Sequence, residues 1–137
     1  MTDALDINIW AVLVAWLINI ALGSLWYSPA GFGKLWSRLS GVDMMKMPKQ
    51  AANKAIACVA VASFIHVFVL AVTIQALYVD GVADAVFTGF MLWLGLTAAT
   101  TVANNLYLRL SWKFWWLNSS FFLVVMILNS VLFAAWQ

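Results

Sequence analysis

The sequence predicts an all-α fold: an integral membrane four-helix bundle with a short interfacial helix after the first span. Composition is the first reason. Of 137 residues, 66% are hydrophobic and 9% charged, where soluble domains carry about half apolar and about a quarter charged residues. A chain this short has no soluble core large enough for so much apolar surface, so lipid must cover it. Patterning is the second reason. The apolar residues fall into four runs of about 20, the length a helix needs to cross the hydrocarbon. Within a bilayer every backbone amide must be bonded in its own segment, which makes such runs helical. Residues 1–137 read as a single domain.

The first span is expected at 7–27. It stops at Ser28-Pro29, where the proline disfavours helix at the preceding residue, and Gly31 and Gly33 follow. Its leading residues include Asp3 and Asp6 but no Lys or Arg. A signal peptide wants the opposite charge there, so the run reads as a retained helix, with Ala21-Leu22-Gly23 as its one cleavage-like feature. Next, Phe32, Leu35, Trp36 and Leu39 alternate with Lys34 and Arg38, a spacing that suits a helix lying in the interface. Residues 41–50, with Met44, Met45, Met47 and Pro48, read as a flexible connector. The second span, 55–78, stops at Asp80-Gly81. The third, 85–108, and the fourth, 114–136, are separated by Ser111 with Arg109 and Lys113 on either side.

The charges divide cleanly between the two ends. All seven cations (Lys34, Arg38, Lys46, Lys49, Lys54, Arg109 and Lys113) lie beside the first and third loops. Asp3, Asp6, Asp80 and Asp84 lie at the other end, and only Asp43 joins the cations. The positive-inside rule then expects the basic end in the cytoplasm and both termini on the non-cytoplasmic side. Trp36, Tyr107, Trp112, Trp115 and Trp116 would belt one interface; Trp10, Tyr78 and Trp136 would belt the other. Trp16 and Trp93 fall near mid-span, where packing is their expected role.

The same residues exclude several functions. So few cations give no basic face for nucleic acid. No charged residue lies deep in a span, and the chain contains no Glu, whereas proton-coupled exporters of this size rely on an intramembrane carboxylate. No Ser has a His and an acid nearby in sequence, so catalysis is not expected; a membrane enzyme built from residues distant in the chain is the third and least favoured reading. No metal or cofactor is expected either. Cys58 lies roughly 12 Å along the helix from His66, too far to share an ion.

What remains in the spans is neutral. Asn8 and Asn19 are eleven residues apart and so share a helix face, which Trp26 extends. Asn118 and Asn129 repeat that separation. The third span carries Thr97, Thr100, Thr101, Asn104 and Asn105; the second carries Ser63, His66 and Thr73, with Gln75 opposite. Asn19, His66, Asn104 and Asn118 are the candidates for lining a ligand path. Two readings stay open for this polar seam: a site for a small molecule, lipid or ion, or hydrogen bonding between helices. His66 is open in the same way, as a relay or ligand or as a buried neutral imidazole. Small residues, Gly95, Ala99 and Ala103 on the third span and Ala55, Cys58 and Ala62 on the second, allow close approach of helices.

The segment Gly23-Ser24-Leu25-Trp26-Tyr27-Ser28-Pro29-Ala30-Gly31-Phe32-Gly33-Lys34-Leu35-Trp36 resembles the hallmark of a bacterial membrane-protein family catalogued as domain of unknown function 1761. Gly89, Trp93, Leu94, Gly95 and the helix near Asn118 are similar to its later part. The resemblance implies a small four-helix membrane protein over nearly the whole chain and brings no activity or cofactor with it. It directs attention to the elbow formed by Trp26, Tyr27, Pro29, Phe32 and Trp36, which reads as a topology-setting turn or as a ligand or partner site. The functional expectation is a non-enzymatic, homo-oligomeric module in a bacterial inner membrane that binds or transports a small molecule, lipid or ion. The alternative is an accessory subunit of a larger membrane complex.

Overall fold

The computed structural model of the chain describes residues 5–137; Asp3 lies outside them. The described residues are helical and contain no strand. The helices are α1 (Ile9–Trp26), α2 (Gly33–Ser40), α3 (Lys49–Ala76), α4 (Val82–Trp93), α5 (Ala99–Tyr107) and α6 (Trp112–Ala135). A π-helical turn at Leu94–Ala98 joins α4 to α5, so Val82–Tyr107 is one continuous span. Four helices are therefore long and apolar enough to cross a membrane.

Local chemistry sets the helix ends. Asn8 Oδ1 accepts from the amides of Trp10 and Ala11 and starts α1. Ser111 Oγ accepts from the Phe114 amide and starts α6. Such caps satisfy amides that have no partner within the helix. α3 and α5 end alike: the residue after the cap turns left-handed, at φ 53° for Tyr78 and 56° for Arg109. The next amide bonds back into the last helical turn, Val79 to Ile74 and Leu110 to Asn105. Glycine usually holds this position, and a side chain there costs about 1 kcal/mol.

Two segments differ from the sequence reading. α3 begins at Lys49, ahead of the apolar run, because Lys49, Gln50, Ala51, Ala52 and Lys54 are good helix formers in water. Its 28 residues span roughly 42 Å, more than the hydrocarbon requires. The connector is also partly ordered. A 3₁₀ turn at Met44–Lys46 is held by Asp43 Oδ1, which accepts from the Met45 amide.

α6 is the hub and packs against α1, α3, α4 and α5, while α2 leans on its basic end. The main core lies toward the acidic end, where Val12 and Ala15 of α1, Val67, Leu70 and Ile74 of α3, and Phe133 of α6 meet. Polar side chains tie that end together: Gln75 Nε2 donates to the Asp6 carbonyl at 3.1 Å, and Gln137 Nε2 to the Val79 carbonyl at 3.1 Å. α4 presses Ala85, Gly89 and Trp93 onto α6. A Cβ added to Gly89 would sit 3.0 Å from the Met126 carbonyl oxygen and 2.9 Å from Ser130 Oγ. The close approach thus uses Ala85 and Gly89. Gly95, Ala99 and Ala103 face outward; Gly95 and Ala99 lie two and six residues past the buried Trp93, and so on the other side of the helix. Both mid-span tryptophans pack, as expected. Trp16 Nε1 donates to the Ala60 carbonyl at 2.9 Å, and Trp93 Nε1 to the Ser119 carbonyl at 2.7 Å.

Candidate functional site

α1 and α6 run antiparallel, and their matched asparagine spacings meet as rungs. Near the acidic end, Asn8 Nδ2 makes a long contact of 3.5 Å to the Trp136 carbonyl. In mid-span, Asn129 Nδ2 donates to Asn19 Oδ1 at 2.7 Å. At the basic end, Tyr27 Oη donates to Asn118 Oδ1 at 2.9 Å. Side chains of a helix lean toward its N-terminus, so on antiparallel helices Asn19 and Asn129 lean toward each other. Both are buried, where an unpaired amide is costly.

The elbow after α1 is a packed unit. The Phe32 amide bonds the Trp26 carbonyl, and the amides of Gly31 and Gly33 both bond the Ser28 carbonyl. A Cβ on Gly31 would collide with the carbonyl oxygens of Leu25 and Trp26, and one on Gly33 with those of Tyr27 and Ser28. Only glycine allows this reversal. It delivers aromatic rings onto α6. Trp26 and Tyr27 pack on Phe121 with centroids 5.9 and 5.6 Å away, and Trp36 packs on Phe114 at 6.3 Å. Phe32 covers Trp26 at 4.8 Å. The Trp26 indole donates to the Leu117 carbonyl at 3.3 Å.

Beside the elbow, α5 and α6 part around a cleft of about 310 Å³. Thr97, Thr101, Asn104 and Asn105 line it from the α5 side, and Asn118 and Ser119 from α6. Leu108, Leu110, Phe114, Trp115 and Phe122 complete the wall. The π turn at Leu94–Ala98 stands at its deep end, and the loop between α5 and α6 at its basic end. Thr100 and Thr101 hydroxyls donate to carbonyls at positions 96, 97 and 98, which repairs the hydrogen bonding the π turn disturbs. The Trp115 indole donates to Thr101 Oγ1 at 3.1 Å. Asn105 Nδ2 holds the loop by donating to the carbonyls of Leu110 and Ser111. Asn118 spends its oxygen on Tyr27, which leaves its NH₂ for the cleft.

A family model described as Protein of unknown function (DUF1761) matches residues 10–134, from the second residue of α1 to the last turn of α6. The chain belongs to the DUF1761 family. No curated protein and no solved structure shows a significant match.

In this DUF1761 chain the four lining residues expected from the sequence separate. Asn104 and Asn118 meet at the cleft. Asn19 lies in the α1–α6 seam, bonded to Asn129. His66 lies on α3 with its ring 6.4 Å from that of Phe122, and its Nε2 is buried without a partner. Phe122 lines the cleft, whereas His66 does not. Ser119, Trp115, Phe114 and Phe122 also line the cleft, which their sequence pattern does not announce. Their positions follow from the rotation of α6 against α5, which the pattern of either helix leaves open. Among the described residues no three His, Cys, Asp or Glu side chains gather as a metal site.

Proposed function

We propose that this small membrane protein is a binding module for a small molecule or lipid, with the α5–α6 cleft as its site. The carrying observation is the difference between its asparagines. Asn19 and Asn129 close on each other, whereas Asn104 and Asn118 front an open volume of about 310 Å³. Ligand sites are typically concave, mostly apolar and fitted with a few orienting polar groups. The cleft has that make-up, with Thr101, Asn104, Asn118 and Ser119 set among aromatic and leucine side chains. The role is one of binding, without catalysis or a resident cofactor. Carriage of the ligand across the bundle is its stronger form.

In this reading the basic end faces the cytoplasm and both termini face away from it, as the positive-inside rule directs for a bacterial inner membrane protein. The chain assembles with further copies of itself. Support comes from the first half of α3, where Ala55, Cys58 and Ala62 are exposed and offer a surface suited to close helix contact. The same surface favours the second reading, an accessory subunit of a larger complex.

The test is mass spectrometry of the intact protein released from mild detergent. A retained small molecule that is lost from Asn104→Leu and Asn118→Leu, but kept by Asn19→Leu, supports the cleft. Retention that ignores both cleft substitutions removes it. Stoichiometric foreign chains would favour the accessory reading.

A further inference from the structure

The residues that line the cleft are all neutral, and two cations stand in the chain beside the lining residues of the α5–α6 loop. Its lining runs from Thr97 to Leu110 on one side and from Phe114 to Phe122 on the other, so it reaches from the loop well into the span. At the loop, Arg109 lies in the chain between Leu108 and Leu110, which both line the cleft, and Lys113 directly precedes Phe114, which lines it as well. Both cations are exposed. From Ala85 to Gln137 the sequence contains no Asp or Glu, so no acid of α5, α6 or their loop neutralises them. The loop that carries them is fixed from within by the Asn105 side chain and by the Leu110 amide bonded to the Asn105 carbonyl. At Arg109 the backbone is left-handed, a conformation glycine adopts with less strain. What the position supplies beyond the turn is charge.

A wholly soluble anion would have little use for a wall of Phe114, Trp115, Phe122 and leucines. A wholly apolar molecule would leave Asn104 and the Asn118 NH₂ unpaired. We propose that the ligand is an anionic phospholipid. Arg109 and Lys113 hold its phosphate at the lip, Asn104 and Asn118 bond its neutral ester or hydroxyl oxygens, and the aromatic wall takes the start of an acyl chain. This rests on the reading of the cleft as the binding site.

The test offers the purified full chain an equimolar mixture of phosphatidylglycerol and phosphatidylcholine and reads the retained lipid by intact-complex mass spectrometry. Two interfacial cations give on the order of a thirtyfold preference for the anionic lipid. Arg109→Gln combined with Lys113→Gln brings that preference near unity. Lys46→Gln combined with Lys49→Gln, at the end of the other basic loop and the start of α3, leaves it in place. Gln keeps a Cβ at position 109, so the turn is not altered by the change. A preference equal in both double variants would overturn the proposal, since it would then reflect the general charge of that end. Displacement of the lipid by glycerol 3-phosphate would overturn it too, because the site would then take a soluble phosphate ester. Asn104→Leu separates the two levels. If it lowers retention of both lipids while the cation variants do nothing, the cleft stands and its ligand is neutral. If neither affects retention, both readings fall.

Discussion

Asn129 Nδ2 donates to Asn19 Oδ1 at 2.7 Å across the α1–α6 interface, joining two buried amides that lie 110 residues apart in the chain. The bond helps to fix the register of the two helices, together with the Tyr27–Asn118 bond and the Trp26 indole bonded to the Leu117 carbonyl at the basic end. Between apolar surfaces in lipid there is no hydrophobic drive to pair, so packing and polar contacts decide.

Asn19→Leu and Asn129→Leu should each destabilise the protein by about 1–2 kcal/mol, since each leaves the other amide buried and unpaired. The double variant should cost less than the sum. Reversible unfolding in mixed micelles, run as a double-mutant cycle, measures this. Strict additivity would show that the contact contributes nothing of its own.

Gly31→Ala and Gly33→Ala should each cost more than about 2 kcal/mol, because the new methyl meets backbone carbonyls and not a movable side chain. Gly41 gives the comparison. It is left-handed at φ 77°, and a methyl added there would have nothing within 4 Å. Gly41→Ala should therefore cost only about 1 kcal/mol, through its backbone alone. Melting temperatures in one detergent rank the three.

Gly89→Val should push α4 away from α6 and cost about 1–3 kcal/mol by overpacking. Gly95→Ala, which meets nothing within 4 Å, should be nearly neutral. Protease accessibility of the loop between α3 and α4 reads the displacement. Equal behaviour of the two variants would place the close contact elsewhere.

Tyr27→Phe should cost about 1 kcal/mol through loss of its bond to Asn118. It also frees the Asn118 side chain to turn, so ligand retention in the cleft should change several-fold where that of a remote variant such as Thr73→Val does not. Unchanged retention would separate the elbow from the cleft.

The elbow shows how far local sequence reaches. Pro29, Gly31 and Gly33 mark a turn, and the alternation of Phe32, Leu35 and Trp36 with Lys34 and Arg38 marks a short amphipathic helix; the turn and the helix are both present. The cleft was legible only in part. Asn104 and Asn118 stand out as polar residues in apolar spans, but so does Asn19, which ends as a helix–helix bond. The π turn at Leu94–Ala98 carries no signature of its own; Thr97 within it lines the cleft with Thr101 and Asn105, while Gly95 and Ala99 face outward.

The sequence by itself determined the number of spans, their approximate limits and the sorting of charge between the two ends. Hydrocarbon thickness and the cost of a charge in lipid act on each segment separately, so a linear reading captures them. Only the tertiary structure decided that α6 is the hub, which asparagines close on each other and which remain open. Those outcomes depend on the relative rotation and register of helices, and lipid is as good a neighbour for a leucine face as another helix is. A handful of polar groups and glycine contacts set them, and their partners lie up to 110 residues away.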